Sequence, residues 1–261
     1  REEIRQLAEK MGYRPNIEAA SLRRGKKATV GVFLPPWQDV LLLELIRGLS
    51  AGANEFAVPL TFSFGMTADS YFKFIDSMTS YRHTGLISYV PFWDRNYERI
   101  LARLEEYIEN GGKIISLNTA KWPMKKTISL DIDEEYGGEL AGKHLLQGKN
   151  LRSYALVSIE SQIYHFRDDA FCNVLEDAGK KVKKYHIDSA RIIPPEKITG
   201  ILEKMLAEAE PPVGIFSTST EFSAWIFLLA SRRNWIYGKD FDMVGYDCPP
   251  GFGDFQPMKR V

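Results

Sequence analysis

The chain has 261 residues, with 34 Lys and Arg balanced by 34 Asp and Glu, so no whole-molecule basic field argues for nucleic acid. That length allows one large or two medium domains with real cores. Cys172 and Cys248 sit in no Cys-x-x-Cys motif, which excludes a disulfide scaffold and points to a reducing, cytoplasmic setting.

Residues 1–11 carry Ile4, Leu7, Ala8 and Met11 at helical spacing, with Gly12 as the stop. The charged start, Arg1-Glu2-Glu3-Ile4, is no signal peptide and lacks an initiator Met, so the chain is expected to begin inside a longer protein. Next comes the most basic stretch of the sequence. Arg14, Arg23, Arg24, Lys26 and Lys27 face a single acid, Glu18. Pro15 suits a first helical turn, and Gly25 is a plausible stop. The helix between them has roughly two turns, well under the ~12–15 residues an isolated helix needs in water. Two readings stay open on the residues alone. One is an exposed basic linker. The other is a helix that folds only on DNA, with Leu22 as an apolar wedge in the minor groove and flanking Arg and Lys on phosphates.

Gly12-Tyr13-Arg14-Pro15-Asn16, followed by Ala19 and Leu22 at that spacing, resembles the hinge of the lactose-repressor family of bacterial transcription regulators. The resemblance implies two hinge helices, one per subunit, entering the minor groove. It assigns DNA contacts to Tyr13, Pro15, Asn16, Ala19, Leu22, Arg23 and Arg24. It also makes residues 1–11 the last helix of a DNA-binding headpiece whose helix-turn-helix is not in this sequence.

From residue 29 the punctuation repeats. Strands are predicted at 29–34, 59–64, 85–89 and 113–117, alternating with helices at 40–56, 69–81 and 96–110. A second round has strands at 128–130, 154–158, 182–187, 213–216 and 241–245. Its helices fall at 134–147, 168–178, 196–208 and 222–233. Short β-branched runs alternating with longer amphipathic ones read as parallel βαβ units in two tandem halves. The resemblance extends over this span. Thr29-Val30-Gly31-Val32-Phe33-Leu34 is similar to the family's first sensor strand. Asp131-Ile132-Asp133-Glu134-Glu135-Tyr136-Gly137-Gly138 is similar to its crossing between lobes. Arg167-Asp168-Asp169-Ala170-Phe171 is similar to its Arg-x-x-Gly-Phe helix start, with Ala170 in the glycine's place. Val244-Gly245-Tyr246-Asp247 is similar to its late motif.

The implied fold class is α/β. Two Rossmann-like lobes of the periplasmic-binding-protein-like type I kind follow a remnant of a helical DNA-binding headpiece and hinge helix. The expected domains are the headpiece and hinge remnant at 1–27, an N-terminal lobe at 28–130, a C-terminal lobe at 131–248, and a crossing back toward the N-terminal lobe at 249–261. The family usually continues past this point, so the chain is expected to be clipped at both ends or to lack the family's last elements.

Gly137 to Lys143 has the spacing of a phosphate-binding P-loop. His144 replaces the Ser or Thr that would hold Mg²⁺, Asp131, Asp133, Glu134 and Glu135 would repel phosphate, and Leu140, Leu145 and Leu146 continue a helix. Close packing of small residues is the better account. The four histidines are scattered, and no nucleophile elbow or metal-ligand spacing occurs. No enzyme activity, cofactor or metal is expected. Ligands of open α/β sheets bind beyond the carboxyl ends of strands. The candidates there are Trp37, Asp39, Trp93, Asn118, Ser161, Arg167, Thr220 and Asp247, with Tyr89 and Ser219 beside them. Aromatics stack on a sugar or base, while Arg and Asp pair with hydroxyls or ring nitrogens. Ser219-Thr220 stands where the family often has a carboxylate.

These residues imply a ligand-responsive transcriptional regulator, a repressor in kind. It is expected to be a cytoplasmic homodimer that binds operator DNA and a small effector, a sugar, with no membrane contact. The rival is an extracytoplasmic sugar-binding protein of a transport system. Arg167→Ala is expected to abolish the effector response and leave the fold intact.

Overall fold

The computed structural model describes residues 2–12, 27–36, 40–81, 83–91, 95–117, 124–147, 150–160, 165–188, 194–246 and 259–260. The chain divides into two compact units, Arg1–Asp131 and Ile132–Val261. The hinge stretch between Gly12 and Lys27 lies outside the described residues.

The first unit opens with helix α1 (Glu2–Lys10), whose Leu7 and neighbouring Met11 stay exposed. It continues with β1 (Lys27–Leu34), α2 (Val40–Glu55), β2 (Leu60–Phe64), α3 (Ala68–Ser80), β3 (His83–Ser88), α4 (Tyr97–Glu109), β4 (Lys113–Leu117) and β5 (Ile128–Leu130). All five strands are parallel, in the order β2-β1-β3-β4-β5. Alternation along the strands sends Phe33, Leu86 and Ile114 under α3 and α4, where Tyr71, Phe74, Met78, Ile100 and Leu104 close the core. Val32 and Leu34 face the other way, onto Leu42 of α2. Thr67 caps α3 through a reciprocal pair of bonds with Ser70.

The second unit comprises α5 (Glu134–Leu146), β6 (Ser153–Glu160), α6 (His165–Asp177), β7 (Val182–Asp188), α7 (Pro195–Glu208), β8 (Val213–Ser217), α8 (Thr220–Arg232), β9 (Phe241–Gly245) and β10 (Lys259–Arg260). Its parallel sheet runs β10-β9-β8-β6-β7. Read from the other edge, the order is that of the first unit, with its first two strands adjacent and the third on the far side of the first. The α/β reading and the repeat of two similar halves are thus the observed architecture. Helices α5 and α6 cover one face through Ala141, Leu145, Phe171 and Leu175. Helices α7 and α8 cover the other through Leu202, Met205, Phe222 and Ile226. Strands β8 and β9 are buried at every residue, as the continuous apolar runs of a doubly covered parallel sheet require.

Three boundaries differ from expectation. Helix α6 begins at His165, so Arg167 lies inside its first turn and not in a loop. Helix α8 begins at Thr220, because Ser219 accepts the bond of Glu221 N and so caps it. The described end of the expected crossing, within 249–261, is β10. Lys259 sits opposite Val244 and Arg260 opposite Gly245, so hydrogen bonding to β9 makes this end part of the second sheet.

Candidate functional site at the switch point of the second unit

In a doubly wound sheet the winding reverses between the first and third strands, and the chain leaves a crevice at their carboxyl ends. In the second unit those strands are β6 and β8. Arg167 follows β6 and Thr218 follows β8, so both stand at that crevice.

Helix α5 builds the first wall. Asp133 caps it by accepting a bond from Tyr136 N at 2.9 Å, which sets Glu134 as its first residue. Glu134 and Arg167 are 5% and 2% exposed, burial that charged side chains accept only when paired. Arg167 Nε donates to Glu134 Oε2 at 2.7 Å, Nη2 lies 2.6 Å from the same oxygen, and Nη1 donates to the Thr218 carbonyl at 3.3 Å. The guanidinium carbon lies 3.3 Å from the centroid of the Tyr246 ring, just past the end of β9. One arginine therefore ties together α5, α6 and the carboxyl ends of β8 and β9.

The small residues of 137–142 make this closeness possible. A Cβ on Gly138 would stand 2.1 Å from the Arg167 carbonyl oxygen, and one on Gly142 would stand 2.9 Å from Val174. A Cβ on Gly137 would meet the Tyr246 ring at 2.8 Å. Tyr246 thus has Gly137 against its edge and the guanidinium over its face. The run with P-loop spacing is a regular helix, and its glycines admit the backbone of α6.

Next to this cluster lies a second buried carboxylate. Ser158 of β6, fully buried, donates to Asp168 Oδ2 at 2.5 Å, and its oxygen lies 2.9 Å from Nδ1 of His186, exposed on the edge strand β7. Burial pushes the Asp168 carboxyl above the usual range, against the opposing pull of the Ser158 hydroxyl and of the Arg167 and His186 charges. The three residue types are those of a hydrolase triad, but the connectivity is not. The serine bridges acid and imidazole with its proton directed at the acid, so the imidazole takes no proton from it and no nucleophile is activated. Cys172, buried in α6, is no better nucleophile, because burial raises its thiol pKa to about 11. Among the described residues, no group of three or more His, Cys, Asp or Glu could hold a metal, and no helix is long and apolar enough to cross a membrane.

No family model matches the chain. Catabolite control protein A of Priestia megaterium is 25% identical over 254 residues, covering 95% of this chain and 73% of that protein. Among solved structures, the lac repressor dimer bound to operator and an anti-inducer superposes with a TM-score of 0.81 at 16% identity, covering 99% of this chain and 77% of that one. The chain belongs to the lactose-repressor family. A LacI-family regulator from Enterococcus faecium with bound ribose has a TM-score of 0.70 at 18% identity, covering 89% of this chain and 82% of that one. At these identities the structural likenesses speak for the fold.

Within the family frame, the described residues hold two of the expected ligand contacts. Arg167 is at the switch point. Thr220 is half-buried at the start of α8, one residue from the Ser219 cap and two from Thr218. Tyr89 is instead core. It is 6% exposed and packs among Val32, Leu34, Leu42 and Leu117. Trp37, Asp39, Trp93, Asn118, Ser161 and Asp247 lie outside the described residues, as do Tyr13, Pro15, Asn16, Ala19, Leu22, Arg23 and Arg24. Sequence reading missed Glu134, Tyr246 and Thr218 as members of the cluster. Glu134 stood in the acidic run read only as repelling phosphate, and Tyr246 stood inside the Val244–Asp247 motif, so both signals were present without a partner assigned.

Proposed function

We propose that the protein is a ligand-responsive repressor. It binds operator DNA as a cytoplasmic homodimer through the hinge residues Tyr13, Pro15, Asn16, Ala19, Leu22, Arg23 and Arg24. It binds a small hydroxyl-rich effector, a sugar, beyond the carboxyl ends of its strands. Arg167 and Thr220, with Trp37, Asp39, Trp93, Asn118, Ser161 and Asp247, are the residues assigned to that effector. The observation that carries this reading is a buried, hydrogen-bonded arginine at the switch point of a lactose-repressor-type sheet. Relatives with the same fold support it, one described with operator and anti-inducer and one with ribose. The curated relative is a control protein, which favours a regulator over a transport-system binding protein and over an enzyme.

Effector binding alters operator affinity only by its differential affinity for the two states of the protein. The test uses full-length protein. An operator is selected from a random duplex library, and its affinity is then titrated with a panel of neutral pentoses and hexoses. At least one sugar is expected to shift operator affinity roughly fivefold or more. Sequence-indifferent DNA binding, or specific binding that no member of the panel shifts, counts against the reading.

A further inference from the structure

The charge of Arg167 is already answered from within. Among the described residues it is the only Lys or Arg that is buried. Its Nε and Nη2 are both directed at Glu134 Oε2, Nη1 at the Thr218 carbonyl, and its face lies on Tyr246. Side-chain exposures of 3% and 5% leave the pair in low dielectric, where an ion pair is screened little. The polar atoms left over are acceptors. Glu134 Oε1 and Asp168 Oδ1 are both buried, and no protein group donates to either. With one guanidinium against two carboxyl groups, the cluster offers oxygen lone pairs and no spare positive charge.

We propose that Glu134 sets the charge class of the effector. The site takes an uncharged, hydroxyl-donating compound and rejects its phosphate ester. This rests on the effector reading above. The physical reason is a competition for one cation. A phosphate group could reach Arg167 only by displacing the Glu134 carboxylate, which would then be buried without a partner. It would also stand beside a second carboxyl group, that of Asp168. A sugar hydroxyl has neither problem. It donates to an acceptor that lacks a partner and leaves the Arg167–Glu134 pair in place. Replacing Glu134 by Gln keeps an oxygen acceptor for the guanidinium and removes the charge, which converts the same arginine into an anion site.

The experiment compares wild type, Glu134→Gln, and the double variant Glu134→Gln/Arg167→Gln, all full-length. Thermal unfolding checks that each variant is folded. Calorimetric titration is done with ribose, ribose 5-phosphate and inorganic phosphate. Wild type is expected to show no binding of the two phosphates. Glu134→Gln should gain roughly tenfold or more in affinity for both, and the double variant should lose that gain. Wild type binding ribose 5-phosphate or inorganic phosphate as tightly as Glu134→Gln does would overturn the proposal. So would a folded Glu134→Gln that gains nothing. If Glu134→Gln does not fold, the wild-type comparison decides alone: an ester bound more tightly than the free sugar overturns it, and phosphates not bound support it. Failure of the sugar reading looks different. Ribose and other neutral sugars would then leave wild type unaffected while the phosphate gain in Glu134→Gln persists.

Discussion

Arg167 places a full charge in the core of the second unit, and Glu134 is what makes that tolerable. Removing one partner of a buried pair leaves the other uncompensated, which destabilises by about 3–5 kcal/mol. Arg167→Ala is therefore expected to lose stability on that scale, and the expectation of an intact fold is revised by the geometry. Arg167→Met with Glu134→Leu should recover most of the loss, since no buried charge remains. Denaturant midpoints of the two variants decide this, and a single variant that unfolds with wild type would show that the pair is solvated. Asp168 gives a second residue-scale outcome. Its carboxyl titrates higher folded than unfolded because it is buried. The folded state thus binds its proton more tightly. The stabilisation from that proton is complete below the unfolded carboxyl pKa and is lost as pH rises through the raised folded value. Wild type should gain stability relative to Asp168→Asn as pH is lowered from neutral through the carboxylate range. Melting temperatures of both proteins across that range give the sign, and the opposite trend would mean that Ser158 and Arg167 outweigh burial.

At the scale of elements, the glycines separate packing from propensity. Gly138→Ala on α5 would put a Cβ 2.1 Å from the backbone oxygen of Arg167, and backbone cannot swing aside. It should cost about 1–3 kcal/mol or more, as overpacking does. A Cβ on Gly200 of α7 would meet nothing within 4 Å, so Gly200→Ala should instead stabilise by about 1 kcal/mol through helix propensity. Opposite shifts in chemical unfolding are the expected result, and equal shifts would refute the close α5–α6 approach. These elements also show what could be read in advance. Alternation and punctuation located the strands and helices of both units, because each strand buries a period-two run and each helix a 3.6-residue one. The starts of α6 and α8 were placed two or three residues late, since caps such as Ser219 are local bonds that apolar periodicity does not register. Arg167 was legible from its motif. Its partner was not, because Glu134 is 33 residues away and only the glycine-mediated contact of α5 with α6 brings the two together.

For the whole molecule, the deciding prediction concerns the basic stretch before β1, which lies outside the described residues. Its composition alone allows an exposed linker or a helix that folds on DNA, and membership of the lactose-repressor family favours the second. The two make different demands on Leu22 and its neighbours. An apolar wedge acts by prying open one base step, so Leu22→Ala should weaken operator binding by a few kcal/mol while leaving random DNA nearly unaffected. Phosphate contacts carry no sequence information, so replacing Arg23 or Arg24 should weaken both kinds of DNA alike and reduce the salt slope by about one unit per lost contact. Full-length protein titrated with operator and random duplex at several salt concentrations separates the terms. If Leu22→Ala leaves the ratio of specific to random affinity unchanged, Leu22 is no wedge. The stretch is then a basic linker, and operator choice must come from elsewhere in the protein.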